Sequence, residues 1–175
     1  MRWDWDVTAD DRVVKLWQLR RELAESQELF YSKWYKDRAT VFSFEFFCSL
    51  YRILRPLREG LSHEARELLE LLEFESPLST KQLRRGSDLT GRSNEKRYHS
   101  AMRELWRSLS IAGIGEVDDG AFPSLAHAST VAVFESQVQR ADDLSLAQAE
   151  ATLGACPEAL AFARRLLSAS GRTMT

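Results

Sequence analysis

Cysteine and histidine are scarce in this chain of 175 residues, which contains two of the former and three of the latter. Two cysteines, Cys48 and Cys156, cannot build a disulfide framework or a paired-cysteine zinc site, and we expect both to be small buried hydrophobic residues. His63, His99 and His127 lie far apart in the sequence, with no Cys or carboxylate at metal-ligand spacing, so we expect each at the surface or at a helix cap. The sequence therefore predicts no metal site and no cofactor.

Long apolar runs are also missing. No stretch approaches the roughly 20 residues that a membrane helix needs, and Trp3–Asp6 lacks the basic and apolar regions of a signal peptide. We therefore expect a cytoplasmic protein that does not bind membranes.

Motifs for enzymatic chemistry are scarce as well. Gly86 and Gly91 lie close together, but no Lys-Ser or Lys-Thr follows them, as a phosphate-binding loop requires. The N-terminal carboxylates belong to a predicted helix start, where the helix dipole alone favours acidic residues; they are Asp4, Asp6, Asp10 and Asp11. The sequence therefore predicts no catalytic residues, and we expect the chain not to be an enzyme.

The net charge of -2 conceals a strong segregation along the chain. Residues 62–78 contain five acidic residues and one arginine, whereas residues 79–110 contain eight basic and three acidic residues. This separation favours one surface that faces an anion and another that faces away from it. Solvated helix faces of mixed charge remain the alternative.

Apolar spacing divides the chain into three predicted regions, 1–58, 59–136 and 137–175. In the first, a helix follows the capping pair Thr8 and Asp11, residues 29–35 are aromatic enough to be packed, and residues 39–43 form a short strand or an extended link. A second helix, capped by Ser43, is predicted from Phe44 to Arg55. The third region is a helical tail, with Ser145 capping residues 146–153 and Pro157 opening another helix.

The middle region carries the most specific signal. Ser62 opens an acidic helix, Ser79 and Thr80 cap a short basic helix that ends at Gly86, and a longer helix follows a cap at Ser93. Strands are predicted at residues 111–117 and 130–134, joined by a turn at residues 118–120. This order is typical of a winged helix-turn-helix. We therefore predict a mainly α fold, with a helical N-terminal region and a winged helix-turn-helix domain that includes a small β-hairpin.

The third helix of this domain has an apolar side and a basic side. In a winged helix this element enters the major groove, so we predict that its basic side contacts duplex DNA and that the preceding helix and turn contact phosphates. The predicted wing, Asp118–Ser129, has no Lys or Arg, so the helices must carry the contact. The predicted DNA-binding residues are Arg84, Arg85, Arg92, Lys96, Arg97, Ser100, Arg103 and Arg107.

These residues favour duplex DNA binding, as a transcriptional regulator or a DNA-repair accessory protein. A winged helix also serves as a scaffold, so a protein-interaction module remains an alternative, with a homodimer formed through the aromatic N-terminal region. A DNA glycosylase-like repair enzyme is a third alternative.

The middle region also resembles a known family. Pro77–Arg84, Leu89–Gly91 and the helix ending at Arg103–Trp106 resemble the winged-helix proteins related to the AlkZ/YcaQ group of bacterial DNA glycosylases, and the likeness extends over residues 33–153. The resemblance implies DNA-associated repair of alkylated or crosslinked bases. Those glycosylases have a glutamine-x-glutamine motif ahead of several winged helices, whereas here one module is evident and Gln137–Gln139 follows its wing. We therefore transfer DNA association but not base excision.

Overall fold

Helices dominate the computed structural model, which describes residues 29–119 and 124–174. The helix predicted after Thr8 lies outside these residues. Two small antiparallel sheets, one of two strands and one of three, accompany the helices. The prediction of a mainly α fold is confirmed in this coarse form.

The first sheet precedes the first described helix. Strands β1 (Leu29–Ser32) and β2 (Thr40–Ser43) pair antiparallel, with Leu29 opposite Ser43. Helix α1 (Phe44–Ile53) then begins at the predicted cap, where the Ser43 side chain accepts a hydrogen bond from the Phe46 amide at 3.3 Å. The short helix α2 (Arg55–Glu59) follows it. The predicted extended segment is thus a strand at residues 40–43, and its partner β1 was predicted only as packed aromatic sequence.

Two of the predicted serine caps open helices in the middle region. Ser62 accepts a hydrogen bond from the Ala65 amide, and Ser79 forms a reciprocal capping box with Gln82. Both predictions are confirmed. The elements here are α3 (His63–Glu75), β3 (Leu78–Ser79), α4 (Thr80–Gly86), a 3-10 turn (Arg92–Asn94) and α5 (Glu95–Arg107).

Helix α5 does not start at a serine cap. The prediction placed the cap at Ser93, but this residue lies inside the 3-10 turn and the helix begins two residues later. The Asn94 side chain makes no cap bond: its amide nitrogen donates to the Thr90 carbonyl at 3.1 Å and to the Asp88 carbonyl at 3.4 Å, and its amide oxygen accepts from Arg97 Nη1 at 3.4 Å. The turn before α5 is therefore closed by Asn94.

The second strand of the hairpin differs from its prediction. Strand β4 (Ile111–Val117) is confirmed, but its partner β5 is Ser124–Ser129, and the β-branched run predicted as a strand is a short helix, α6 (Thr130–Val133). The Thr130 amide still donates to the Ser110 carbonyl, next to the Ile111–Ser129 pair, and its hydroxyl donates to the Leu109 carbonyl. The Thr130 carbonyl then accepts from the Phe134 amide, so the chain turns from the strand into a helix. The sheet order is β3-β5-β4.

The tail is helical, as predicted. Helices α7 (Glu135–Asp142), α8 (Leu146–Leu153) and α9 (Pro157–Ala169) follow one another, and Ser145 caps α8 through a capping box with Gln148. Within the part of the chain that the structure describes, none of the helices combines the length and apolar character that a bilayer-spanning helix requires.

Two hydrophobic clusters hold these elements together. The first is aromatic and joins the beginning of the described chain to the tail: Phe30, Trp34 and Phe47 pack with residues of α7, α8 and α9. The second is mostly aliphatic and lies among α3, α4, α5 and the second sheet. Cys48 is buried in the first cluster, as predicted. The prediction for Cys156 is wrong, because this residue is exposed at the start of α9.

Candidate nucleic-acid interface

Helix α5 separates apolar from polar side chains. Tyr98, Ala101, Met102, Leu105 and Trp106 are buried. A helical period of about 3.6 residues places four other residues together on the opposite side. We call this side the basic face; it consists of Lys96, Ser100, Arg103 and Arg107.

The open part of the candidate interface lies at the N-terminal end of α5. Lys96 and Ser100 are exposed on the helix, Arg92 is exposed in the 3-10 turn, and Arg85 is exposed at the end of α4. Among residues 29–119 and 124–174, no carboxylate oxygen forms an ion pair with Arg85, Arg92 or Lys96. Three cations at this end are therefore available to an external anion.

Arg84 packs against α5 instead of extending into solvent. Its guanidinium lies 4.8 Å from the centre of the Tyr98 ring, and its Nη2 atom lies 3.6 Å from the Glu95 carboxylate. The Tyr98 hydroxyl donates to the Thr80 carbonyl at 3.3 Å, and burial raises the pKa of this phenol to about 12. Arg84 and Tyr98 thus hold α4 against α5.

Arg97 is directed toward the acidic helix α3. Its Nη2 and Nε atoms donate to the Glu64 carboxylate at 2.8 and 3.1 Å, and this hydrogen bonding lowers the Glu64 pKa below its usual value. A second carboxylate of α3 is also engaged, since Glu67 accepts a hydrogen bond from the Asp88 amide at 2.8 Å. Two carboxylates of the acidic helix α3 therefore bind the α4–α5 segment.

The C-terminal end of the basic face has an acidic partner. The Asp37 carboxylate accepts hydrogen bonds from Arg107 Nε at 3.2 Å and from Arg107 Nη2 at 3.1 Å, and it lies 3.7 Å from Arg103 Nε. Arg103 is exposed, whereas Arg107 is partly buried, with 35% of its side chain accessible. Sequence analysis missed Asp37, which is seventy residues away from Arg107.

Glu104 is a second residue that sequence analysis missed. It lies on α5, and its carboxylate accepts hydrogen bonds from the Ser62 amide at 2.9 Å and from the Ser62 hydroxyl at 2.6 Å. The same serine caps α3, so this carboxylate joins the start of α3 to the later half of α5. The spacing of forty-two residues gave no local signal for this contact.

The hairpin is tied to α4 through its acidic residue Asp119. This carboxylate accepts hydrogen bonds from the Ser79 and Ser124 hydroxyls, which lower its pKa, and its backbone carbonyl accepts a bond from Lys81 Nζ at 3.1 Å. Lys81 is thereby attached to the hairpin and does not extend freely. Asp119 thus links the hairpin to the N-terminus of α4 through hydrogen bonds.

The histidines differ from one another in exposure. His63 and His99 are exposed, as expected, but the same prediction for His127 is wrong, because only 2% of its surface is accessible. Its ring nitrogen Nδ1 lies 3.1 Å from the Leu78 carbonyl and its ring packs on Trp106, and burial lowers its pKa to about 4. Within the described ranges, no group of three or more His, Cys, Asp or Glu side chains has a geometry that could hold a metal ion.

Comparison with known proteins gives one family. The model of the family described as AlkZ related matches residues 2–161, which is most of the chain. No match was found among curated proteins or solved structures. The chain therefore belongs to the AlkZ-related family, a relation that indicates a function connected with DNA repair.

Proposed function

We propose that this chain binds duplex DNA as an accessory component of DNA repair, through a winged helix formed by residues 59–136. The family relation supports the connection with repair. The order α3, β3, α4, α5, β4 and β5 supports the winged helix, since such domains place their third helix in the major groove. In this arrangement α5 is the recognition helix, and residues 1–58 and 137–175 flank the domain.

One observation carries the proposal. Arg85, Arg92 and Lys96 lie on three successive elements, are exposed, and form no close ion pair with a carboxylate among the described residues. The charge of Arg85 acts on Asp119 only from a distance, where it contributes to the lowered pKa of that carboxyl group. Cations of this kind neutralise phosphates without the need to break an internal ion pair first. Of the predicted residues, these three and Ser100 therefore form the proposed contact surface, whereas Arg84 and Arg97 stabilise the domain through Tyr98 and Glu64.

The hairpin contributes little charge to this surface. Its only described carboxylates near the tip are those of Asp118 and Asp119. The sequence of residues 118–129 has no Lys or Arg. A phosphate backbone gains nothing from these side chains. We therefore place the DNA contact on α4, the 3-10 turn and α5.

The proposal is tested by fluorescence anisotropy with a labelled duplex, at about 50 and 200 mM salt. Three phosphate contacts predict a loss of affinity of roughly 40-fold between these conditions, because log K falls by about 0.9 for each contact and each tenfold rise in salt. The double variant Arg92→Ala/Lys96→Ala should bind more weakly and should show a flatter salt dependence.

The matched control is Arg66→Ala/Arg140→Ala, which removes two exposed cations from α3 and α7. This variant loses the same charge outside the proposed surface, so its affinity should stay close to that of the unaltered protein. Equal losses in both double variants would contradict the assigned surface, and no binding at the lower salt would contradict DNA binding itself.

The alternative functions have less support. The aromatic residues Phe30, Trp34 and Phe42, which belong to the region of the alternative homodimer contact, are buried in the chain's own first cluster. Gln137 and Gln139 lie on α7, and the Gln137 carbonyl accepts a hydrogen bond from the Cys48 thiol. Base excision, a scaffold role and transcriptional regulation stay predictions that no contact in the described residues favours.

A further inference from the structure

The contact between Asp37 and the basic face has the form of an occupied anion site. Both carboxylate oxygens face the same guanidinium, one at Nε and the other at Nη2 of Arg107, and Arg103 approaches the same carboxylate. Arginine binds phosphate through this same two-pronged arrangement. The three side chains are between 35% and 54% exposed, so an external anion can reach them.

The turn that carries Asp37 has an unusual backbone. Lys36 and Asp37 adopt φ values of 53° and 59°, in the left-handed region that residues with a Cβ atom rarely occupy. Such a conformation persists only where its surroundings hold it, and it frequently marks a functional position. The backbone therefore presents the Asp37 carboxylate to α5 at a conformational cost.

Aromatic packing supplies the necessary support. Trp34 is buried, and the rings of Trp34 and Tyr35 each lie 5.0 Å from the Phe162 ring of α9. The Arg38 amide donates to the Tyr35 carbonyl at 3.0 Å and closes the turn. The first cluster thus holds the turn beside α5, so the Asp37 carboxylate has a fixed position and is not on a freely moving loop.

We propose that Arg103 and Arg107 form a binding site for a DNA backbone phosphate, and that Asp37 occupies this site as an internal carboxylate until the phosphate displaces it. The inference rests on the proposed function, because it takes α5 as the DNA-contacting helix. It adds that Asp37, a residue of the N-terminal region, competes with DNA for the basic face and thereby lowers the affinity of this face for DNA.

Displacement is feasible because the ion pair is solvent-exposed, and exposed pairs contribute little to stability. The carboxylate and the phosphate cannot accept from the same Nε and Nη2 atoms at once. Only the N-terminal end of α5 is therefore open before DNA arrives, and the arginine side chains at the other end become available when they exchange the Asp37 carboxylate for a phosphate.

The variant Asp37→Asn tests the competition. Asparagine has nearly the same shape and tolerates the left-handed backbone, but it carries no charge. We expect duplex affinity at about 50 mM salt to rise about 3- to 10-fold, because Arg103 and Arg107 then bind phosphate without first losing the Asp37 carboxylate. The measurement is the anisotropy titration at the two salt concentrations.

The matched control is Glu150→Gln, which removes the same charge from another ion pair across two helices, Glu150 with Arg164 at 2.8 Å. Its affinity should change less than about 2-fold, since none of the hydrogen bonds and ion pairs of Glu150 and Arg164 among the described residues involves Asp37 or the basic face. A second variant, Asp37→Asn/Arg103→Ala/Arg107→Ala, should lose the whole gain, because the arginines that would bind the phosphate are absent.

The outcomes separate the inference from the proposed function. Unaltered protein that binds DNA while Asp37→Asn binds equally or more weakly would overturn the inference: in the latter case Asp37 positions the arginines for DNA instead of competing with it. A gain that persists after both arginines are removed would also overturn it, since general charge would explain the effect. If neither the unaltered protein nor Asp37→Asn binds at low salt, the proposed function and the inference both fail.

Discussion

The two ends of the basic face are both cationic but have different surroundings. At the N-terminal end Lys96 and Ser100 are exposed, and Arg92 extends from the turn beside them. At the C-terminal end Arg103 and Arg107 meet the Asp37 carboxylate. The helix period alone makes these four α5 residues equivalent, and a turn that precedes them by some seventy residues makes them different.

The two ends therefore differ in whether a surface cation can bind a DNA phosphate directly or must first leave a carboxylate of the protein. Charge and exposure favour an interface, but the energy of a new contact also depends on the contact that it replaces. When an arginine is already paired with a carboxylate, binding gains only the difference in free energy between the arginine–phosphate contact and the arginine–carboxylate contact. The N-terminal end of α5 should therefore dominate the first encounter with DNA, and the C-terminal end should set how much tighter the final complex becomes.

The largest effect on the free energy of unfolding is expected from a change in the apolar side of α5, which anchors both ends of the basic face. Leu105 is fully buried on the apolar side of α5, within the second cluster. Leu105→Ala should lower the free energy of unfolding by about 2–5 kcal/mol, because it removes apolar contacts and leaves a cavity. Urea unfolding measures this change.

The control for Leu105→Ala is Phe74→Ala, because Phe74 is 89% exposed on α3. Its substitution should change the unfolding free energy by no more than about 0.5 kcal/mol. Equal losses in the two variants would mean that α5 is not anchored by its apolar side, and the comparison of its two ends would then lose its structural basis.

A smaller and pH-dependent effect should act on the C-terminal end. His127 is buried with its ring 5.5 Å from that of Trp106 on α5, and its pKa in the folded protein is lowered to about 4. The unfolded chain, with a His pKa near 6.5, binds the proton more tightly. The contribution of neutral His127 to the free energy of unfolding is therefore fully present above about pH 6.5. It falls by up to about 3 kcal/mol as the pH is lowered to about 4.

Urea unfolding at several pH values tests this, by comparing the unaltered protein with His127→Gln and His99→Gln. The His127 variant should lose stability less steeply between about pH 6.5 and 4, whatever its stability at neutral pH. The His99 variant should keep the original slope, since His99 is exposed. The same slope in all three proteins would contradict a buried neutral His127.

The local features of the fold could be predicted from the sequence. Ser43, Ser62, Ser79 and Ser145 each cap the helix expected of them, because a cap depends on residues within one turn. The apolar side of α5 follows the helical period, and its buried residues are those that the period selects. These signals extend over a few residues, so one sequence is enough to detect them.

The features that were predicted wrongly or missed depend on contacts between residues that are distant in the sequence. Residues 130–133 favour a strand by composition, yet Thr130 binds the chain near Leu109 and starts a helical turn. His127 has no sequence signal for burial, which results from its place in β5 beside Trp106. Asp37 could not be assigned to Arg107 because no spacing rule connects a turn with a helix seventy residues later.

Amide chemical shifts measured by NMR test most directly whether duplex DNA contacts α4, the 3-10 turn and α5. With a short duplex at about 50 mM salt, the largest shifts should occur in residues 84–100, with smaller shifts at residues 103–107 and at Asp37 as its arginines change partner. Residues of α8 and α9 should stay unchanged. Shifts concentrated in α7, α8 and α9 while residues 84–100 stay unaffected would contradict the account, even if the protein binds DNA.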